Sequence, residues 1–211
     1  VLMNYAPIRR GSWCIKALID KEGHPVTSSF LVVRPKQEKL PLQVLWAILN
    51  SPFSNAYAHC HSTKRSILAG TMRKLPLPEC SFEEMTGLKG LVRDYFDLYT
   101  HGGVVLKRNV DCREAKRRML AIDAEVMRLY DLPPRLEKQV LDLFGEWERP
   151  GVDFKFMGYY PEGFESAIPL HEYLSEEYQR STLDFVKDWV EEVRSPELIE
   201  AFEKAAEAFE E

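Results

Sequence analysis

Two apolar stretches near the N-terminus, residues 12–19 (Ser-Trp-Cys-Ile-Lys-Ala-Leu-Ile) and 28–34 (Ser-Ser-Phe-Leu-Val-Val-Arg), are rich in β-branched and aromatic residues and predict strands. Asp20-Lys21-Glu22-Gly23 between them has turn chemistry, so an antiparallel pair is the natural expectation. After Pro35 the period changes. Leu42, Leu45, Trp46 and Leu49 fall on one helical face, which places Trp46 in the core. Ser51-Pro52 is the chemistry that opens a second helix, carrying Phe53, Ala56 and Tyr57. Leu75-Pro76-Leu77-Pro78 must run extended, because each proline restricts the residue before it.

From residue 81 the pattern is helical. Ser81-Phe82-Glu83-Glu84 reads as a capping box ahead of the stripe Met85, Leu88, Val92, Tyr95, Phe96 and Tyr99, which His101-Gly102-Gly103 ends. Asp111 and Glu114 open a further helix with an apolar seam of Ala115, Met119, Ile122, Val126 and Leu129. Pro133-Pro134 restarts a shorter one through Leu136, Val140 and Phe144, stopped by Gly145. Residues 150–175 form a Gly/Pro/aromatic loop. Two last helices carry Phe185, Val186, Trp189 and Val193, then Leu198, Phe202 and Phe209 behind Ser195-Pro196. The class is α+β: an N-terminal mixed or antiparallel β platform with helices, then a mostly helical C-terminal part.

Composition adds location and charge. The 211 residues are 45% hydrophobic, enough for a real core, and no apolar run reaches the length of a membrane span. No secretory signal pattern is present, and Cys14, Cys60, Cys80 and Cys112 lie far apart with no CxxC pair. A cytoplasmic protein with reduced thiols is the expectation. The opening Val1-Leu2-Met3 suggests a fragment whose N-terminal partner lies upstream. Net charge is −5, but residues 1–80 hold 11 Lys+Arg against 4 Asp+Glu, whereas residues 121–211 hold 9 against 23. A basic head with an acidic tail points either to a polyanionic partner for the first part or to two ends that attract each other within one fold.

Enzyme signatures are missing: there is no GxSxG, P-loop, HExxH or GxGxxG. His59-Cys60-His61 offers ligand types, but adjacent helical residues point apart, so no metal site is expected. Asp153-Phe154-Lys155, with Asp142 or Glu146 upstream, has the residue types of an acid-acid-x-lysine nuclease site. The basic signal is denser. Ser62-Thr63-Lys64-Arg65-Ser66 and Thr71-Met72-Arg73-Lys74 combine cations with hydroxyl donors, the composition of phosphate contacts. Arg9-Arg10-Gly11-Ser12 and the stretch from Arg34 to Lys39 are two further clusters.

These residues carry a resemblance. Leu45-Trp46-Ala47-Ile48-Leu49-Asn50-Ser51-Pro52, Asn55-Ala56-Tyr57, Lys64-Arg65-Ser66-Ile67 and Leu75-Pro76-Leu77-Pro78 together resemble the target-recognition, TaqI-like specificity domain of N6-adenine DNA methylases of restriction–modification systems. Type I specificity subunits are similar at a greater distance. Asn4 and residues 12–19 are similar to the start of that module, and Ile122-Asp123-Ala124-Glu125-Val126 with Leu129-Tyr130-Asp131-Leu132 to the helix that follows it. The resemblance spans residues 1–145. It departs from the family in lacking the Gly-rich cofactor turn and the Asn/Asp-Pro-Pro-aromatic tetrapeptide; Pro133-Pro134 sits between Leu132 and Arg135.

The resemblance implies a DNA target-recognition module over residues 1–110. Residues 111–211 would be a helical bracing or docking region with an acidic C-terminal extension. Its DNA face would carry Lys64, Arg65, Arg73 and Lys74, with Arg9 and Arg10 behind them. The chain alone would be no enzyme and hold no cofactor. S-adenosylmethionine would belong to a methylase catalytic domain, N-terminal in the same chain or in a partner chain, while duplex DNA is the partner here and no membrane is involved. Two alternatives stand beside this: an acidic-tailed protein-interaction module, and a metal-dependent nuclease built around Asp153 and Lys155.

Overall fold

In a computed structural model, residues 1–7, 11–35, 40–62, 66–67, 69–101, 104–105 and 110–181 are described. The chain divides into two compact units, residues 1–171 and 172–211.

The first unit opens with a three-stranded antiparallel sheet in the order β2-β1-β3, formed by β1 (Leu2–Asn4), β2 (Ala17–Leu18) and β3 (Phe30–Val32). Leu2 pairs with Leu18 on one side and Val32 on the other. The expected direct pairing of 12–19 with 28–34 is therefore corrected: β1 lies between them, and both strands are far shorter than their apolar stretches. The reason is side-chain competition for the backbone. Cys14 N and Ile15 N both donate to Asn55 Oδ1, Lys16 N to Asn4 Oδ1 and Ala17 N to Asn50 Oδ1. Amides satisfied in this way need no strand partner. The turn at Asp20 has the expected chemistry, its carboxylate accepting from the amides of Glu22, Gly23 and His24.

Helix α1 (Leu42–Asn50) is buried continuously from Val44 to Leu49 because it is covered on two sides. Leu45 and Leu49 join Met3, Ile15, Ala17, Ala58, Ile67 and Leu75 under the sheet. Trp46 packs the other way, edge-on to Phe96 with ring centroids 4.8 Å apart and near Tyr95. Helix α2 (Pro52–His61) starts on the Ser51 cap with proline in its first turn, as the sequence expects. The short α3 (Ala69–Met72) follows.

Helix α4 (Phe82–Asp97) opens on the full Ser81/Glu84 capping box. The two-stranded β4 (Thr100–His101) and β5 (Val104–Val105) come next. Helix α5 (Cys112–Tyr130) is capped by Asp111 and stops at Asp131, which adopts a left-handed conformation. Its buried face holds Ala115, Met119, Ile122, Val126 and Leu129, the expected seam, and it packs on α4 and α1.

Helix α6 (Pro134–Asp142) ends three residues before Gly145, and Leu136 on it is exposed rather than core-facing. Residues 150–169 carry no helix or strand, yet Phe154, Phe156 and Tyr159 are buried. Helix α7 (Leu170–Tyr173) follows, and Leu170 N donates to the buried carboxylate of Glu137. In the second unit, Glu176 to Ser181 are helical, with Ser175 Oγ accepting from Tyr178 N. The two last helices expected from the sequence lie outside the described residues.

Candidate nucleic-acid interface

The motif residues that carry the family resemblance are structural in this fold. Asn55 is fully buried; its Oδ1 accepts two amides and its Nδ2 donates to Ser51 O at 3.0 Å. Asn50 Nδ2 donates to Ala17 O and to Trp46 O, closing a two-way amide bridge with residue 17. Ser51 Oγ caps α2 by accepting from Ser54 N, and it donates to Ile48 O at 2.7 Å. The Asn-Ser-Pro helix junction thus acts as a clamp that stitches residues 14–17 to α1 and α2.

Two further bonds join the described residues that flank the basic clusters. Tyr5 O accepts from Ile67 N at 2.7 Å, and His59 Nδ1 donates to Gly11 O at 3.1 Å. The flanks of two basic clusters, one spanning Arg9 and Arg10 and the other Lys64 and Arg65, are therefore tied to each other on both sides. The four cations themselves lie outside the described residues. Arg73 and Lys74 are described, and both are exposed at the end of α3. Met72 before them is partly buried and Leu75 after them fully so, both against the core beneath the sheet. Backbone bonds from Arg73 N to Ala69 O and from Lys74 N to Thr71 O hold the turn. Neither cation forms an ion pair among the described residues, which leaves both free for an anion.

Comparison with family models, with characterised proteins and with solved structures finds no match to this chain. Any functional assignment rests on the residues themselves.

The sequence reading missed a buried polar centre. Both terminal guanidinium nitrogens of Arg149, Nη1 and Nη2, engage the Asp123 carboxylate, and Nη2 also donates to Asn50 O at 3.0 Å. Tyr159 Oη donates to Asp123 at 2.8 Å, and the Trp13 ring lies 4.6 Å from the guanidinium. Burial disfavours the Arg149 charge, but Asp123 and Tyr159 outweigh it and hold its pKa above the ordinary value. Burial pushes Asp123 up against the pull of Arg149 and Tyr159. A pair so enclosed costs desolvation on both ions, and bidentate geometry with extra donors is what offsets it. Its role is to lock α5, the α1 terminus and the 149–159 loop together. The available signal was Asp123 sitting on an otherwise apolar helix face.

The remaining candidates are dispersed. On α2, His59 turns to Gly11, His61 lies against the Tyr57 ring at 4.4 Å, and Cys60 is exposed. Asp142 is held by Lys138 at 2.8 Å, and Asp153 and Lys155 are exposed outside any strand. Among the described residues no group of three or more His, Cys, Asp or Glu is placed to hold a metal ion. A cleft of about 690 Å³ opens beside α4, with Lys16, Lys21 and Arg93 set against Asp97 and Asp153. Its mixed charge favours no single ionic ligand. Among the described residues no helix is long and apolar enough to cross a membrane.

Proposed function

We propose that this chain is a DNA target-recognition module of the N6-adenine methylase type. It grips duplex DNA through Lys64, Arg65, Arg73, Lys74, Arg9 and Arg10, and presents it to a catalytic domain that supplies S-adenosylmethionine chemistry. The carrying observation is the double tie, Tyr5 to Ile67 and Gly11 to His59, which brings the roots of two separate basic clusters to one place. Arg73 and Lys74 add two exposed cations, with no ion pair among the described residues, on a turn anchored by Met72 and Leu75. Together they supply the sequence-independent electrostatic term on which DNA binding rests.

The test is a salt titration of binding between the full chain and a short fluorescent duplex. The logarithm of affinity should fall linearly with the logarithm of salt, at about 0.9 per phosphate neutralised. The same protein, mixed with S-adenosylmethionine and unmethylated DNA, should transfer no methyl group. Salt-insensitive or absent binding would remove the DNA reading, and methyl transfer would remove the role as a recognition module alone.

A further inference from the structure

The cleft beside α4 joins an apolar wall to charges of both signs. Trp46, Tyr95 and Met119, almost wholly buried, line it from below, and half-buried Phe96 continues the wall. Trp46 meets Phe96 edge-on with ring centroids 4.8 Å apart, and Tyr95 stacks 6.2 Å from Trp46, so the three rings brace one another. A wall of this kind receives a flat apolar body. At about 690 Å³ the cleft is of the size that holds a small molecule.

The charges come from separate elements. Lys16 and Lys21 flank β2, Asp97 ends α4, and Asp153 lies in the loop beyond Arg149. Arg149 at the same cleft is already neutralised by Asp123. The other four are exposed, and none of them forms an ion pair among the described residues. Lys16 shows how closely the two signs approach without pairing. Gly151 has φ +78°, and a Cβ built there would fall 2.8 Å from Lys16 Cε and Nζ, so the end of the lysine rests on the glycine backbone. Asp153 is only two residues further along the chain. An apolar wall flanked by an open cationic and an open anionic position suits a ligand that carries both charges on a flat body.

We infer that this cleft binds a small zwitterion with an aromatic body, the class of the aromatic amino acids. The ring rests on the Trp46–Phe96 wall, Lys16 and Lys21 take the carboxylate, and Asp97 and Asp153 take the ammonium. The inference stands apart from the DNA-binding reading. Calorimetric titration of the full chain with L-tryptophan should saturate at one site per chain. Tryptamine lacks the carboxylate and indole-3-propionate lacks the ammonium, so each should bind at least about ten-fold more weakly. Lys21→Met should weaken L-tryptophan at least about five-fold and leave tryptamine unchanged. Asp97→Asn should weaken L-tryptophan to a similar extent and leave indole-3-propionate unchanged. Exposed charges add little to stability, so both variants should fold, with circular dichroism as the control. A lack of saturation by L-tryptophan at millimolar concentration would overturn the inference. So would equal binding of the three compounds, which would show a cleft indifferent to charge. Wild-type affinity for L-tryptophan in both folded variants would place its site elsewhere and overturn it as well.

Discussion

At the scale of single residues, the decisive groups are amides rather than charges. Asn55 Oδ1 serves the main-chain amides of Cys14 and Ile15, both buried. In Asn55→Ala those two donors lose their acceptor, and each orphaned buried group costs roughly 1–3 kcal/mol. The variant should be destabilised by about 2–6 kcal/mol in urea, a large part of the roughly 5–15 kcal/mol typical of a domain. Cys14 provides a local readout of the same clamp. Burial, with a smaller contribution from Cys60, pushes its thiol up to about 11. Only the thiolate alkylates, so near pH 8 iodoacetamide should modify the exposed Cys60 and Cys112 and leave Cys14 intact. In Asn55→Ala residues 14–17 lose their tether and Cys14 should become reactive. Peptide mapping after a timed pulse decides this; equal protection of Cys14 in both proteins would show that the clamp is not what encloses it.

At the scale of elements, how readily each was read follows from where its hydrogen bonds go. Helices α1, α2, α4 and α5 satisfy their backbones internally, so period and caps were sufficient, and Ser51, Ser81 and Asp111 cap where their side chains predict. The strands are hard to read because residues 14–16 bond to the side chains of Asn4 and Asn55, partners that no local pattern reveals. Phe156 and Tyr159 have no period because they pack around one buried ion pair rather than along an element. The α5 seam is open to a direct test. Ile122 is 1% exposed on the buried face of α5, next in sequence to Asp123, whose carboxylate is already held by Arg149 and Tyr159. Ile122→Asp puts a second carboxyl there with no partner, which should cost several kcal/mol. Its melting temperature should fall by many degrees or the chain should not fold. Wild-type melting would mean that this face of α5 does not bear the load its burial implies.

At the scale of the whole molecule, charge is segregated. Residues 172–211 hold 13 acids against 4 cations, while residues 1–80 hold 11 cations against 4 acids. Under the proposed DNA-binding reading, the polyanion meets the basic stretch of the sequence and not the acidic one. The candidate site was half legible in sequence. Its cations are visible as clusters, whereas the ties through Tyr5 and His59 depend on contacts far apart in the chain. The sharpest test of the charged part is the fourfold variant Lys64→Ala, Arg65→Ala, Arg73→Ala, Lys74→Ala. Each phosphate contact removed releases one fewer set of counterions, so the slope of log affinity against log salt should become shallower by about two to four units. Losing a base contact would instead cost about 1–3 kcal/mol and relax preference at one position, with little change in slope. Folding should survive, because Arg73 and Lys74 are exposed and unpaired among the described residues, and exposed cations add little to stability. The measurement is a paired salt titration of wild type and variant, with circular dichroism as the folding control. A folded variant with the wild-type slope would move the DNA face to Arg9, Arg10 and Lys36, or off this chain altogether.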